Sequence, residues 1–386
     1  MRLLYCGLEK YVERYSFQLE DWNTREFNRL GVDYTVVSGQ NLDNSQAIKT
    51  GSVLDAHGRT YWSATQTGEL VRHLASGVYT SSDVIFYEDM FTPGLESLGY
   101  IHDQVKDFPR VFVRCLAQTV DPDDFVHRTG MFDWMRPFEQ MVDAICSKTG
   151  GGILVASEEL VAHLRICGFK SPIYVTGLPF GKAEVLERGA PRRWDQREQQ
   201  VVFAARWDDE KQPLFFEKVV KEVRSVLPET KFKILSGANP LRSNNPELLE
   251  IPGRANIEVL AGLSKDQYYE ELSKSKVLFN CALQDWVSNT VSEADALGCM
   301  TVYPAYRSFP EVFANNPDHM YLPWSVQDAA GKVLRYLQAD RPPLSLGRVS
   351  DYQDRTIERT IQVFTGQGEQ YRRGEDYRKV VADEKY

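Results

Sequence analysis

The stretch VLFNCALQDWVSNTVSEADALGCMTVYPAYRSFPE, which spans Val277–Glu311, decides the fold. Its first seven residues form a short apolar run rich in strand formers, too brief for a helix, and they predict a buried strand. Ser288 and Asn289 are residue types that begin helices, and Gly298 is the type that ends them, so a short helix is predicted to start at Asn289 and to stop before Gly298. Another strand begins at Thr301. This strand–helix–strand order predicts an α/β fold.

The start of this helix is a predicted anion site. A helix N-terminus offers unpaired backbone N–H groups and the positive end of the helix dipole, so we expect the amides around Ser288, Asn289 and Thr290 to bind a phosphate. Two acids flank this point, Asp285 before the helix and Glu293 one turn inside it. Ionised carboxylates accept hydrogen bonds from hydroxyls. A diphosphate with several hydroxyls describes a nucleotide sugar, with one carboxylate for the ribose and one for the transferred sugar.

A pair of cations follows an earlier predicted strand, Val201–Trp207. Arg206 lies at the end of that strand and Lys211 lies in the loop after it. The carboxyl ends of parallel strands form the ligand-binding edge of an α/β sheet, and two cations there suit a diphosphate. The alternative is a surface ion pair with one of the acids at 208–210.

These residues carry a resemblance to a known family. Asp285 and Glu293, with seven residues between them and a helix that ends in glycine, resemble the E-x7-E element of retaining GT-B glycosyltransferases, especially family four, with aspartate at the first position. The strand, the Arg206-x4-Lys211 pair and the next helix are similar to the donor-phosphate element of the same family. The resemblance covers about 200–312, and the first half of the chain only in layout. It implies the GT-B fold, in which two Rossmann-like, doubly wound domains face a central cleft.

The same resemblance implies a reaction. A sugar would pass from a nucleoside diphosphate sugar, with UDP-sugar favoured, to a hydroxyl acceptor, with retention of configuration and without a metal or other cofactor. Arg206 and Lys211 would bind the phosphates and stabilise the departing diphosphate. Asp285 would orient the sugar and Glu293 would hold the ribose. Arg206, Lys211 and Asp285 are therefore the predicted catalytic residues.

Length and composition predict two domains. The 386 residues exceed what a single core usually holds, and the 42% hydrophobic and 26% charged content is ordinary for a globular protein. A polar stretch without apolar periodicity over 181–199 predicts a linker. It would separate an acceptor-binding domain over 1–180 from a nucleotide-sugar-binding domain over 200–345. The resemblance implies that the helix and tail over 346–386 return to the first domain.

The first domain is expected to alternate strands and helices. Its first loop lacks the G-x-G-x-x-G motif, which argues against an NAD-type domain. Strands are predicted at 2–7, 34–37, 83–87, 110–116, 152–156 and 173–176, and helices at 16–31, 61–74, 93–105 and 157–167.

A long polar and aromatic stretch over 117–134 follows one of these strands, and long loops at strand ends tend to be functional. We expect it to bind the acceptor, with Gln118, Asp121 and His127 as candidates. The D-x-D pattern that begins at Asp121 leaves a metal site open, although acids beside proline are more often turn formers. A surface role for His127 also stays open.

Cysteine usage and charge suggest the compartment and the partners. The six cysteines are scattered and mostly lie in apolar runs, which favours reduced, buried thiols. The start of the chain has no signal-peptide pattern, and no apolar run is long enough to span a membrane, so we expect a cytoplasmic protein (host cytoplasm if viral) without stable membrane association. The net charge of −9 argues against broad attraction to nucleic acid.

The acceptor and the oligomeric state are left open by the sequence. Phage enzymes that glycosylate hydroxymethylated DNA bases share this two-domain scaffold, which makes modified DNA the sharpest single candidate. A small molecule, a glycan or a protein is the alternative. A sugar-nucleotide epimerase or a non-catalytic GT-B relative is a different class, and an epimerase would need further acids or histidines such as Glu88, Asp89 or His127.

Overall fold

The computed structural model describes most of the chain. The described residues are 1–10, 16–42, 55–116, 119, 121, 124–128, 130–243, 245–283 and 285–367. Gln118, one of the three acceptor candidates, lies outside them. By their contacts the residues group into two units. The first is Met1–Pro179 together with the segment that starts at Thr356, and the second is Phe180–Arg355.

The first unit alternates strands and helices. Its strands are β1 (Arg2–Cys6), β2 (Asp33–Val37), β3 (Val84–Tyr87), β4 (Arg110–Arg114), β5 (Gly152–Val155) and β6 (Ile173–Val175). Its helices are α1 (Ser16–Arg29), α2 (Ala56–Ala75), α3 (Ser97–Gln104), α4 (Phe125–Arg128), α5 (Phe132–Lys148) and α6 (Glu158–Ile166), joined by a C-terminal helix, α15 (Thr356–Phe364). The strands form one parallel sheet in the order β2-β1-β3-β4-β5-β6.

The second unit repeats this plan. Its strands are β7 (Glu198–Phe203), β8 (Lys231–Leu235), β9 (Glu258–Leu260), β10 (Ser275–Phe279), β11 (Met300–Pro304) and β12 (Met320–Tyr321). Its helices are α7 (Lys182–Arg188), α8 (Pro213–Val226), α9 (Ile251–Arg254), α10 (Lys265–Lys274), α11 (Asn289–Ala296), α12 (Phe309–Val312), α13 (Val326–Leu337) and α14 (Arg348–Asp354). The parallel sheet has the order β12-β11-β10-β7-β8-β9.

The strand order of the second sheet reverses beside β7. The chain moves outward from β7 through β8 to β9, and then returns to the other side of β7 as β10. At such a reversal the carboxyl ends of two neighbouring strands leave a crevice, the usual ligand site of open α/β sheets. Right-handed crossovers to opposite sides place their helices on opposite faces, so α8 lies on one face of the sheet and α11 on the other.

The C-terminal helix α15 belongs to the core of the first unit. The Phe364 ring lies 4.8 Å from the ring of Phe112 and 5.2 Å from that of Phe86, between centroids, and Phe364 is fully buried. Arg359 Nε donates a hydrogen bond to the carbonyl oxygen of Thr176 at 3.0 Å. The segment over 346–386 is therefore divided, because α14 groups with the second unit and α15 with the first.

Two predictions for the first unit need correction. The helix predicted over 61–74 begins at Ala56, because the Asp55 carboxylate accepts a hydrogen bond from the backbone N–H of Gly58 at 2.9 Å and caps the earlier start. The stretch 117–134 is also less open than predicted, since α4 and the beginning of α5 occupy its second half. Helix α5 itself was not predicted.

The predicted linker over 181–199 contains regular secondary structure. Helix α7 forms inside it, and the strand β7 begins before its end. Val185 and Trp194 are buried, so the stretch does supply apolar groups to the second unit, although too few to show a period. Arg197 is buried as well, and its guanidinium donates hydrogen bonds to main-chain carbonyls such as that of Ser275 at 2.9 Å. This arginine is therefore not a basic surface group.

The cysteines match the sequence-based expectation. All six lie among the described residues, where none of them forms a disulfide bond, and five of them are buried. Burial raises the pKa of the Cys299 thiol to about 12, which keeps it neutral and unreactive. Within the described part of the chain, none of the helices has both the length and the apolar character needed to cross a membrane.

Candidate functional site

The strand-order reversal brings two predicted site residues together. Lys211 follows β7 and Asp285 follows β10, the two strands whose carboxyl ends adjoin the crevice. The Lys211 Nζ atom lies 3.6 Å from Asp285 Oδ1 and 3.9 Å from Glu210 Oε1. Lys211 is only 5% exposed. An ammonium group held this far from bulk water interacts more strongly with a nearby anion than a surface lysine does.

The two loops that hold this pair are fixed to each other by their backbones. A tight helical turn over Asp209–Lys211 ends at Gln212, whose φ of 52° lies in the left-handed region. The N–H of Leu283 donates to the carbonyl oxygen of Glu210 at 2.9 Å, and the Cys281 thiol donates to that of Lys211 at 3.3 Å. The position of Lys211 relative to the loop after β10 is therefore set by main-chain contacts.

Arg206 lies on the other side of Glu210. Its guanidinium is paired with the Glu210 carboxylate, which is the ion pair that the alternative interpretation of this motif expected. The Arg206 side chain remains 43% exposed. A pair with one member so exposed contributes about 1 kcal/mol or less to stability, so an entering diphosphate is able to compete for the guanidinium.

Asp285 is positioned by the loop after β11. Ser308 Oγ donates to the carbonyl oxygen of Asp285 at 2.9 Å and also to that of Trp286. The Asp285 side chain is about a quarter exposed, so its carboxylate faces both Lys211 and solvent. This placement suits a group that contacts a ligand.

The predicted helix after Asp285 is present as α11, which starts at Asn289, with Ser288 in extended conformation at the N-cap. Ser288 Oγ and Thr290 Oγ1 are 2.6 Å apart, and Thr290 Oγ1 is 3.3 Å from the Tyr303 hydroxyl. Burial, reinforced by the nearby charge of Asp285, raises the pKa of Tyr303, which therefore stays a neutral phenol. The three residues expected to cap a phosphate thus adjoin the Lys211–Asp285 pair.

Glu293 is held by a different set of partners. Its Oε1 accepts hydrogen bonds from Lys265 Nζ at 2.9 Å and from the Tyr269 hydroxyl at 3.1 Å, and its Oε2 accepts one from the Tyr268 hydroxyl at 2.9 Å. All three donors belong to α10. A carboxylate offers about four lone pairs, so these bonds leave room for roughly one more donor. The predicted ribose contact of Glu293 would have to use that position or displace one of these partners.

Sequence reasoning included Glu210 only in the alternative interpretation, as an ion-pair partner, and missed the partners of Glu293. Glu210 contacts both cations, and the i, i+4 spacing of Arg206 and Glu210 was its signal. The contact between α10 and Glu293 had no comparable signal, because it depends on how two helices pack.

The acceptor candidates that the structure describes lie after β4. Asp121 is buried and accepts, through its carbonyl oxygen, a hydrogen bond from Asp124 N at 3.0 Å. The exposed His127 has its Nδ1 2.8 Å from the Thr119 carbonyl oxygen, and its ring centroid lies 5.8 Å from that of Phe132. The described residues contain no group of three or more His, Cys, Asp or Glu side chains arranged to hold a metal.

The two acids that an epimerase was expected to use have internal partners. Glu88 is fully buried, and its Oε1 accepts a hydrogen bond from Arg114 Nε at 2.6 Å. Burial raises the pKa of Glu88, and the guanidinium opposes that rise. Asp89 Oδ2 lies 3.3 Å from Arg59 Nη2. Neither acid is placed as an open catalytic group.

Comparison with known proteins gives a fold. No protein-family model matches the sequence, and no curated protein matches it. Sucrose-phosphate synthase from Thermosynechococcus elongatus is similar over 99% of both chains, with a TM-score of 0.61 and 14% identity. The α,α-trehalose 6-phosphate synthase from Burkholderia multivorans is similar over 100% of both, with a TM-score of 0.59 and 12% identity. TarM from S. aureus, solved with UDP, is similar over 79% of this chain and 59% of its own, with a TM-score of 0.55 and 13% identity.

The two parallel six-stranded sheets and these similarities confirm the prediction that the chain has the α/β GT-B fold of glycosyltransferases.

Proposed function

We propose that this protein is a glycosyltransferase that moves a sugar from a nucleoside diphosphate sugar, with UDP-sugar favoured, to a hydroxyl acceptor. The observation that carries the proposal is the 3.6 Å contact between Lys211 Nζ and Asp285 Oδ1 at the strand-order reversal. A buried cation beside a carboxylate suits a phosphate that carries a sugar, since the cation attracts the phosphate and the carboxylate accepts hydrogen bonds from hydroxyls. The fold supports it, since the similar structures include a UDP-forming trehalose-phosphate synthase from Burkholderia vietnamiensis.

Charge balance determines what these residues do in the proposed reaction. Arg206 and Lys211 are balanced by Glu210 and Asp285 before a ligand enters. Asp285 turns to the sugar hydroxyls when the donor binds, and Lys211 is then available to the diphosphate. Negative charge grows on the diphosphate as the sugar leaves, so the two cations and the start of α11 stabilise the transition state more than the ground state.

The stereochemical course follows from the resemblance. Retaining enzymes of this kind react without a well-placed protein nucleophile, and the acceptor attacks from the face that the leaving diphosphate occupied. The departing phosphate assists by accepting the proton of the acceptor hydroxyl. In this scheme the side chains of Arg206 and Lys211 stabilise the leaving group, and no metal or other cofactor takes part.

A hydroxymethylated DNA base is the sharpest single acceptor we propose, and a small molecule, a glycan or a protein is the alternative. The acceptor would bind the first unit near Gln118, Asp121 and His127. The net charge of −9 means that DNA would need a locally basic surface. Reduced cysteines are consistent with a cytoplasmic location.

The test is turnover with a panel of UDP- and GDP-sugars and of acceptors that includes hydroxymethylated duplex DNA. Lys211→Ala is expected to reduce the release of nucleoside diphosphate by about 100-fold, since it removes a preorganised charge at the leaving group. Lys221→Ala is the matched control, because Lys221 is an exposed lysine of α8 that pairs with Glu217. Undiminished turnover in both Lys211→Ala and Arg206→Ala would remove the assignment.

A further inference from the structure

The two loops that carry Lys211 and Asp285 continue into a pocket on the α8 side of the second sheet. Gln212, the residue after Lys211, lines it, and so does Leu283, two residues before Asp285. The opposite wall is made by Tyr306, after β11, and Trp324, after β12. Lys211 and Asp285 do not line this pocket themselves, but residues of the same two loops do.

Trp324 has two properties that folding alone does not favour. Its side chain is 61% exposed, and its φ of 60° lies in the left-handed region, which bulky residues rarely adopt. Nearby, Arg307 has a φ of 57°, so both segments that form the wall contain left-handed residues. Strained backbone that displays an exposed indole at a sheet edge is a feature of ligand sites.

The aromatic rings of this wall pack on one another. The Trp324 and Tyr306 rings meet edge to face with centroids 5.4 Å apart. Beneath them the buried Tyr321 stacks on Phe215 at 5.9 Å, and its hydroxyl donates to the carbonyl oxygen of Asn280 at 3.0 Å. Aromatic side chains fixed in this way bind a flat apolar surface without losing much conformational freedom.

The direction in which the donor extends follows from the positions of α11 and α8 on opposite faces of the sheet. Glu293, the proposed ribose ligand, lies on α11, whereas the Trp324 pocket lies on the α8 face. Lys211 and Asp285 lie between the two. With the nucleoside on the α11 side, the part of the donor beyond the diphosphate extends toward Trp324.

We propose that Trp324 and Tyr306 form the subsite for the transferred sugar, a role that rests on the proposed function. The pocket itself has room for about one water molecule, so the pyranose lies over it, with its C–H face on the exposed indole and its hydroxyls toward Asp285. Trp324 is thus a specificity-determining residue for the sugar and makes no contact with the nucleoside diphosphate.

Calorimetric titration of the full chain with UDP, GDP, UDP-glucose, UDP-N-acetylglucosamine and GDP-mannose tests this subsite. Trp324→Gly removes the ring and also relieves the left-handed strain, so its Tm is expected to equal or exceed that of the wild type. Trp324→Phe keeps a ring. Leu322→Ala is the matched control, since Leu322 is 65% exposed on the same segment and does not line the pocket.

Trp324→Gly is expected to weaken the binding of the preferred nucleotide sugar about tenfold and to leave the free nucleoside diphosphate unchanged, whereas Trp324→Phe and Leu322→Ala stay within about threefold of the wild type. Unchanged affinity for the nucleotide sugar, or an equal loss for the free diphosphate, would overturn the subsite alone. A wild-type protein that binds none of the five compounds would overturn the proposed function and the subsite with it.

Discussion

His319 is a buried imidazole in the second unit. Its ring stacks on Phe313 with centroids 4.6 Å apart, and its Nε2 lies 2.8 Å from Ser345 Oγ. Burial lowers the pKa of His319 to about 4, while the charges of Asp318 and Arg348 act in opposite directions on it. An unfolded histidine titrates near 6.5, so the unfolded chain takes up the proton first as the pH falls. The stability that the neutral ring contributes is complete above pH 6.5 and is lost toward pH 4.

The free energy of unfolding is therefore expected to fall between pH 7 and pH 4 by about 3 kcal/mol more in the wild type than in His319→Gln, which carries no titrating group. Urea denaturation of both proteins at the two pH values measures the difference. Other buried acids such as Glu88 and Asp295, whose pKa values are raised by burial, affect both proteins equally. Parallel pH dependences would show that His319 is not held neutral.

At the residue scale, the Lys211–Asp285 pair could be predicted from the sequence, but the role of Trp324 could not. Lys211 and Asp285 could be placed together because each follows a predicted strand and parallel strands share one carboxyl edge. Trp324 had no such signal, because its importance comes from a left-handed φ and from its exposure. Neither property can be read from residue type.

At the scale of elements, α11 and α14 are connected by one carboxylate. Asp295, in α11, accepts hydrogen bonds from the backbone N–H groups of Gly347 and Ser350, each at 2.8 Å, and so caps the start of α14. Burial raises the pKa of Asp295, although these two bonds oppose the rise. The contact ties the last helix of the second unit to the helix of the candidate site.

Asp295→Ala is expected to destabilise the protein by about 3 kcal/mol, because it leaves two backbone N–H groups without an acceptor. Asp295→Asn, which keeps one acceptor oxygen, is expected to lose less. The free energy of unfolding from chemical denaturation measures both. Equal stability of the wild type and Asp295→Ala would mean that α14 does not depend on this cap.

Secondary structure was not predicted where the local composition masks the regular spacing of apolar residues. Met135, Phe138 and Val142 are buried along one face of α5, at helical spacing, but the helix starts among polar residues and contains Pro137. The stretch 181–199 has only two buried apolar side chains, those of Val185 and Trp194, and so shows no pattern. The strands were easier to predict because strands buried on both faces have continuous apolar runs.

At the scale of the whole molecule, the chain leaves the first unit, forms the second and returns with α15. Phe364 is one anchor of that return, because its buried ring contacts Phe86 of β3 and Phe112 of β4. Phe364→Ala is expected to lose about 3 to 5 kcal/mol of stability, as for other buried phenylalanines. The loss belongs to the first unit.

Hydrogen exchange measured separately for the strands of each unit tests this location. Phe364→Ala is expected to lower protection in β1–β6, and Phe216→Ala, which removes an equally buried ring from the core of the second unit, in β7–β12. An equal loss in both units from Phe364→Ala would contradict the assignment of α15 to the first unit.

The overall architecture was the most predictable feature. Alternating strand and helix patterns and two short motifs led to the GT-B fold, which the similar solved structures confirm. Both motifs lie where a strand ends and a helix begins. The backbone geometry of an α/β sheet makes these positions ligand sites, so a short motif there is informative even when the rest of the sequence is not. The acceptor has no such geometric marker, and so its identity stays a proposal.

The most direct test of the central claim is a crystal structure of the protein with UDP or GDP bound. The diphosphate is expected within hydrogen-bonding distance of Lys211 Nζ and of the backbone at the start of α11, with Asp285 turned away from the lysine. A diphosphate bound elsewhere, with the Lys211–Asp285 contact unchanged, would contradict the claim.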